Sequence, residues 1–220
     1  MEDSVAMAGL VDREVRSGER DGQATRIVVA RRRYGTDVDD LWTALTDPER
    51  LPRWFLPVSG DLREGGTYQT EGNAGGDILR CEAPSLLSLT WMMGERISWL
   101  ELRLSPDGDG TILELVHEAP DDAEGRAFWA EYGPGAVGIG WDLALLGLGW
   151  HLDSGEALDP TEAMGYPLTP EGRAFVEAAA GSWAAAATVD GDDADAAGAA
   201  AERTVAFYTT LPDGDAPPEG

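Results

Sequence analysis

The chain has 220 residues, 43% of them hydrophobic, which is enough for one substantial core and an accessory segment. A net charge of −25 disfavours binding to nucleic acid or to anionic membrane surfaces, because both are themselves negatively charged. A single cysteine, Cys81, excludes an intramolecular disulfide and a cysteine-based zinc site, and with two histidines we expect no metal and no other cofactor. Residues 1–20 contain no long apolar run, so we expect no signal peptide, no membrane insertion and a cytoplasmic location.

The N-terminal part predicts a flexible segment, a strand and two short helices. Residues 1–23 are polar and interrupted by glycine, whereas 25–31 is β-branched and predicts the first strand. Apolar residues then recur at helical spacing over 38–45, after the N-cap candidates Thr36 and Asp37. The sequence Asp-Pro-Glu at 47–49 predicts a second short helix.

Short runs separated by glycine, aspartate and proline turns then predict antiparallel strands. We place these strands at 67–71, 77–82, 86–93, 97–104 and 111–119. Apolar residues alternate along the last three of them, which predicts a sheet with one buried and one solvated face. The positions predicted to face inward are Leu87, Leu89, Trp91, Met93, Leu100, Leu102, Leu104, Leu113, Leu115 and His117.

A long helix is predicted over 138–152, where Trp141, Leu145 and Leu148 share one face. Three glycines at 140, 147 and 149 weaken such a helix by about 1 kcal/mol each relative to alanine. We therefore expect tertiary packing to hold the helix, with a close approach to the sheet or to a ligand.

The remaining chain is poor in large apolar residues and cannot build its own core. Residues 153–211 predict an accessory helical extension that docks onto the main domain, with a helix start at Thr169 and Pro170. For residues 212–220 we expect a disordered tail.

Several motifs resemble the SRPBCC (START-like) superfamily, in its branch of proteins like the bacterial activator of heat-shock-protein-90 ATPase homologue (AHSA-like). They are LWTALTDPERLPRW at 41–54, LSLTW at 87–91, GTILELVHE at 110–118 and GWDLAL at 140–145. The resemblance implies an α+β helix-grip fold over 24–152, in which a curved antiparallel sheet wraps around a long C-terminal helix. Two stretches, 122–135 and 153–220, depart from the family pattern and are candidates to cover a cavity mouth.

The resemblance also implies a cavity between the sheet and the long helix. Eight tryptophans favour a cavity for flat or hydrophobic ligands. The predicted cavity residues are Trp54, Phe55, Tyr68, Leu89, Trp91, Met93, Leu102, Leu115, His117, Trp141 and Leu145. Trp99 is a further candidate. It alternates with Leu100 along the strand, however, and this favours a position on the outer face of the sheet or beside a bulge. Tyr68 and Arg80 are candidates for polar contacts inside the cavity.

We find no nucleophile elbow or other reactive constellation, and His117 is the one titratable group that the alternation directs inward. A lone histidine among leucines is more often a structural hydrogen-bonding group than a general base, since a general base usually has a positioned partner.

The leading hypothesis is therefore non-catalytic binding or transport of a small hydrophobic or aromatic molecule. One alternative is a cyclase or hydrolase of the polyketide type, in which His117 or Tyr68 moves protons. The other is a chaperone-associated interaction module, since the acidic surface can serve solubility or dock a basic protein partner. The sequence also leaves open a homodimer.

Overall fold

The computed structural model describes residues 4–210, which form an α+β helix-grip fold. The strands are β1 Val11–Arg20, β2 Gln23–Tyr34, β3 Val58–Gly60, β4 Thr67–Thr70, β5 Gly75–Glu82, β6 Leu86–Met93, β7 Arg96–Asp107 and β8 Gly110–Pro120. The helices are α1 Ser4–Ala8, α2 Val38–Thr46, α3 Ala123–Tyr132, α4 Gly135–Ser154, α5 Pro160–Gly165, α6 Pro170–Asp190 and α7 Ala194–Thr209. The strands form one antiparallel sheet in the order β1-β2-β8-β7-β6-β5-β4-β3.

The predicted inner face of the sheet is confirmed by the register of its central strands. Leu100 pairs with Leu89 on one side and with His117 on the other. Leu102 likewise lies between Leu87 and Leu115. Helices α2 and α4 pack on the sheet, α2 against β7 and β8 and α4 against β2, so the inward leucines form the floor of the main core.

The expectation of a flexible segment over residues 1–23 is wrong for the residues that the structure describes. Strand β1 pairs with β2 along its whole length, from Val11 opposite Arg32 to Arg20 opposite Gln23. Val11 and Val15 are buried, but the position between them is Arg13, which also points inward. A charged residue at an inward position removes the alternation by which a strand is recognised.

One predicted helix differs in type, and one stretch without a predicted element is helical. The second short helix is a single 3₁₀ turn, Leu51–Arg53, with proline in its first turn. The stretch 122–135 contains a regular helix, α3, whose first turn is capped by the Asp122 carboxylate accepting from the Gly125 N–H.

A β-bulge in β5 changes which of its side chains face the core. The pairing shifts between Ile78 and Arg80, so that Ile78 lies opposite Leu89 while Cys81 lies opposite Leu87. Because the extra residue reverses the alternation, Cys81 faces inward and Arg80 outward. Arg80 is exposed and forms an ion pair with Glu82, so the prediction that it contributes polar contacts inside the cavity is wrong.

Helix α4 extends the predicted long helix by one turn at its start. Its glycines permit close approach of neighbouring protein groups. A Cβ atom on Gly138 would lie 2.3 Å from the buried Trp183 ring, and one on Gly149 would lie 2.6 Å from the Arg32 guanidinium. Gly147 approaches the Trp54 carbonyl and Leu158 in the same way. The glycines are therefore explained by contacts with the chain itself.

Three helices occupy the predicted extension over 153–211. Helix α6 packs against β1, α1 and α4, and α7 packs against α6 and α3. Trp183 on α6 is fully buried, so the extension shares a core with the sheet domain. The boundary at residue 153 stays a prediction, and the predicted tail over 212–220 lies outside the described residues. Between residues 4 and 210, no helix is both long and apolar enough to cross a bilayer.

Candidate ligand cavity

One cavity of about 140 Å³ lies between the inner face of the sheet, helix α4 and the segment that follows α2. Strands β4 to β8 supply the floor, and Trp141, Ala144 and Leu145 of α4 supply the roof. The lining is Leu45, Thr46, Leu51, Trp54, Phe55, Val58, Leu62, Arg63, Tyr68, Thr70, Ile78, Cys81, Leu87, Leu89, Trp91, Leu100, Leu102, Leu113, Leu115, Trp141, Ala144 and Leu145. The cavity is therefore apolar over almost its whole wall.

Every residue predicted to line a cavity does so except Met93 and His117. Met93 lies at the end of β6 beside the hairpin turn and is 58% exposed, so its place in the predicted set is wrong. Trp99 lies on the opposite face, where Arg20 stacks over its ring at 4.4 Å. Whether the residues that surround the cavity bind a ligand stays a prediction.

Aromatic rings at the roof and one wall of the cavity contact one another in series. Trp141 meets Trp91 edge to face with 4.9 Å between ring centroids, and it stacks against Phe55 at 6.5 Å. Trp54 packs beside Phe55 at 5.5 Å, and Tyr68 beside Trp91 at 6.4 Å. Edge-to-face and offset contacts of this kind hold rings in fixed orientations, so this wall is rigid and complementary to flat molecules.

His117 lies behind this wall and holds the Trp141 and Trp91 positions together. The Trp141 indole N–H donates to His117 Nδ1 at 2.9 Å, and the Ser98 hydroxyl donates to the Trp91 carbonyl at 2.9 Å. Because Trp141 is only a donor and the Ser98 proton is already used, the His117 proton must be on Nε2, from which it donates to Ser98 Oγ at 2.8 Å. The imidazole is thus neutral, with both nitrogens occupied.

Burial also favours the neutral form of the His117 imidazole. Removing the imidazolium from water lowers the pKa of His117 to about 4. A group with this pKa and no free lone pair is a poor general base at neutral pH. The geometry therefore favours the structural interpretation of His117 over the catalytic one.

The other polar side chains of the wall are mostly occupied by the protein. The Tyr68 hydroxyl donates to the Thr90 carbonyl at 2.8 Å, and burial raises the pKa of Tyr68. The Trp54 indole N–H donates to the Ala44 carbonyl at 2.9 Å. The hydroxyls of Thr46 and Thr70 donate to the carbonyls of Trp42 and Ala74 respectively.

Thirteen of the 22 lining residues are not among the predicted cavity residues, and some of these thirteen lie near the mouth. Cys81 lies there because of the β5 bulge, and an exposed thiol at the rim is a reporter for chemical labelling. Leu62 and Arg63 belong to the connection between β3 and β4, where no periodicity indicates which side chains turn inward. Ala144 is on the predicted helix. Its spacing of three residues from Trp141 places the two on the same helix face, and this spacing could have identified Ala144 as a lining residue.

In the described part of the chain, neither departure from the family pattern covers the mouth. No residue from 122–135 or from the described part of 153–220 lines the cavity. Helix α3 packs instead on α7, and α6 packs on β1 and α4. The described parts of these stretches therefore do not support their candidate role as a cover for the cavity mouth.

The segment that carries Trp54 and Phe55 is fastened to the C-terminal end of α4. The Arg50 guanidinium donates to His151 Nε2 at 3.3 Å, while His151 Nδ1 donates to the Glu156 carbonyl at 2.8 Å. The Leu158 N–H donates to the Arg53 carbonyl at 2.8 Å. These bonds fix one side of the cavity relative to its roof.

Comparison with known proteins agrees with this architecture. The profile of one family, described as activator of Hsp90 ATPase homolog 1-like protein, matches residues 36–148. CalU16 from Micromonospora echinospora is 37% identical in its crystal structure, with a TM-score of 0.63 and coverage of 80% of this chain and 97% of CalU16. Its solution NMR structure gives 36% identity, a TM-score of 0.66 and coverage of 82% and 96%.

DynU16, a protein in the dynemicin biosynthetic locus, shares the fold alone. It is 19% identical with a TM-score of 0.52, and the match covers 60% of this chain and 48% of DynU16. No functionally curated protein matches this chain.

Proposed function

This chain belongs to the family of activator of Hsp90 ATPase homolog 1-like proteins, and we propose that it binds a small hydrophobic molecule in the cavity beneath α4 without transforming it. The observation that carries this proposal is an apolar cavity beside which both candidate proton-transfer groups, Tyr68 and His117, are occupied by hydrogen bonds to the protein. A cavity of this composition favours an apolar guest through the hydrophobic effect.

The cyclase or hydrolase alternative receives less support from the same contacts. It requires a side chain in or beside the cavity that can accept or donate a proton during a reaction. His117 uses both ring nitrogens in hydrogen bonds, and Tyr68 uses its proton on the Thr90 carbonyl. Binding alone requires none of these groups to be free.

Quenching of tryptophan emission by iodobenzene tests the proposal, because Trp54, Trp91 and Trp141 line the cavity. We expect a saturable quenching component in addition to the linear, collisional component from exposed indoles. Adding toluene should reverse the saturable part by competition. Purely linear quenching that toluene does not affect would contradict the proposal.

A matched pair of variants locates the binding site. Ala144→Leu places a larger side chain in the cavity roof and should abolish the saturable component. Ala185→Leu makes the same change at an exposed position of α6 and should leave it unchanged. Alkylation of Cys81 by N-ethylmaleimide, which should slow when toluene saturates the protein, gives a second measurement at the mouth.

A further inference from the structure

We propose that the cavity selects neutral molecules about the size of one aromatic ring that carry a hydrogen-bond acceptor, and that the indole N–H of Trp91 receives this acceptor. This inference deepens the proposed function and rests on it. The preferred ligand class is thus a small aromatic ketone, ether or ester, which should bind more tightly than a pure hydrocarbon of the same shape, an acid or an amine.

The size limit follows from the cavity volume of about 140 Å³. A cavity of roughly 150 Å³ lined by leucine, isoleucine and phenylalanine binds benzene. The wall here is similar in character, with Leu89, Leu102 and Leu115 on the floor and Trp141 on the roof. One ring with a short substituent fills this space.

The acceptor requirement follows from the three indoles that line the cavity. Trp54 donates to the Ala44 carbonyl, and Trp141 donates to His117. Within residues 4–210, the indole N–H of Trp91 has no protein acceptor. Trp91 Nε1 is not among the fully buried side-chain atoms that lack a hydrogen-bond partner in this part of the chain, so it keeps accessible surface.

Trp91 is nevertheless nine-tenths buried, with 9% of its surface exposed. Its backbone is held in β6 opposite Ser98, and its ring is held against Trp141 at 4.9 Å. A fixed donor with little access to water gains more from a ligand acceptor than a solvated donor does. The partnered donors of Trp54 and Trp141 cannot compete for the same acceptor without losing bonds to the protein.

Charged ligands are disfavoured by the same wall. Arg63 is the charged residue among those that line the cavity, its side chain is 72% exposed, and it pairs with Asp61 at 2.8 Å. A carboxylate or ammonium group deep in the cavity would lose its hydration without an ionic partner. Neutral acceptors avoid this loss.

The test compares acetophenone with ethylbenzene, which have similar shapes but differ by a carbonyl oxygen. Dissociation constants are measured by calorimetry for the wild type, Trp91→Phe and the matched outer-face control Trp99→Phe. We expect the affinity ratio of acetophenone to ethylbenzene to fall about tenfold in Trp91→Phe, the factor typical of one hydrogen bond. The ratio should be unchanged in Trp99→Phe, and the differing water solubilities of the two probes cancel in this comparison.

An unchanged ratio in Trp91→Phe would overturn the inference while leaving ligand binding intact. Benzoate binding as tightly as acetophenone to the wild type would overturn it as well. Absence of binding by both neutral probes would instead contradict the proposed function. If Trp91→Phe does not fold, the ¹⁵N indole resonance of wild-type Trp91 decides: it should move downfield with acetophenone and not with ethylbenzene, and equal shifts would refute the inference.

Discussion

Arg13 on the first strand and Asp142 on α4 form a buried ion pair between positions 129 residues apart in the sequence. Arg13 Nε lies 3.1 Å from Asp142 Oδ2, and both side chains are almost completely buried. The Trp183 indole N–H donates to the same carboxylate oxygen at 2.8 Å. One carboxylate thus joins the N-terminal strand, the roof of the cavity and the C-terminal extension.

Removing one member of this pair should destabilise the fold strongly. Burial already raises the pKa of Asp142 against the opposing effects of Arg13 and Arg32, so loss of Arg13 leaves a buried carboxylate without its ion-pair partner. We expect Arg13→Met to lower the free energy of unfolding by about 3–5 kcal/mol in urea titrations. Arg80→Met on the exposed outer face should change it by less than about 0.5 kcal/mol. Equal effects of the two substitutions would show that the buried pair contributes nothing special.

Two glycine-to-alanine substitutions in helices should have opposite effects on the stability of the protein. In α4, Gly138→Ala places a Cβ 2.3 Å from Trp183 and should destabilise the protein by about 1–3 kcal/mol through overpacking. In α6, Gly181 has open space around its Cβ position, so Gly181→Ala should stabilise by up to about 1 kcal/mol through helix propensity. Thermal unfolding of both variants measures the two effects, and stabilisation by Gly138→Ala would contradict the packing described here.

Stability should fall as the pH drops below the ordinary pKa of histidine. The pKa of folded His117 is about 4, whereas in the unfolded chain it is near 6.5, so between these values the unfolded state binds more protons. This histidine should therefore contribute a loss of about 2 kcal/mol between pH 7 and pH 5. In His117→Gln the pH dependence of the unfolding free energy should be shallower by that amount. Identical pH profiles would mean that His117 titrates normally in the folded state.

Enlarging the floor of the cavity should change which ligands it accepts. Leu102 lines the cavity, whereas Leu104 is buried on the same strand and face without lining it. Both leucine-to-alanine substitutions should cost about 2–5 kcal/mol of stability. Only Leu102→Ala should increase the affinity for naphthalene relative to toluene, as measured by competition with iodobenzene quenching. Similar gains in both variants would argue against the placement of this cavity.

Local sequence patterns were sufficient to predict the central strands of the sheet and helix α4. The alternation over 97–104 and 111–119 predicted the inner faces of β7 and β8, because one face of an antiparallel sheet is buried while the other is solvated. Helical spacing located α4 to within a few residues at each end. Nine of the eleven cavity residues predicted from these two patterns and from the resemblance to a known family line the wall.

The predictions that were wrong concern positions where the orientation of a side chain is not set by the local residue pattern. Strand β1 was not predicted because the inward-facing Arg13 interrupts its apolar alternation. Only the contact with Asp142 in the folded protein explains why this arginine points inward. The β5 bulge exchanges the faces on which Arg80 and Cys81 lie, and no residue pattern at 77–82 predicts a bulge. Met93 follows the correct parity but lies where the strand leaves the core.

By itself, the sequence determined the fold class and the apolar face from which the cavity is built, since periodicity and turn chemistry act between near neighbours. Tertiary structure alone decided that the His117 nitrogens are occupied, that the indole of Trp91 remains unpartnered, and that the C-terminal helices lie away from the mouth. Those outcomes depend on hydrogen bonds and contacts between residues far apart in the chain, and a one-dimensional pattern carries no information about which distant donor meets which acceptor.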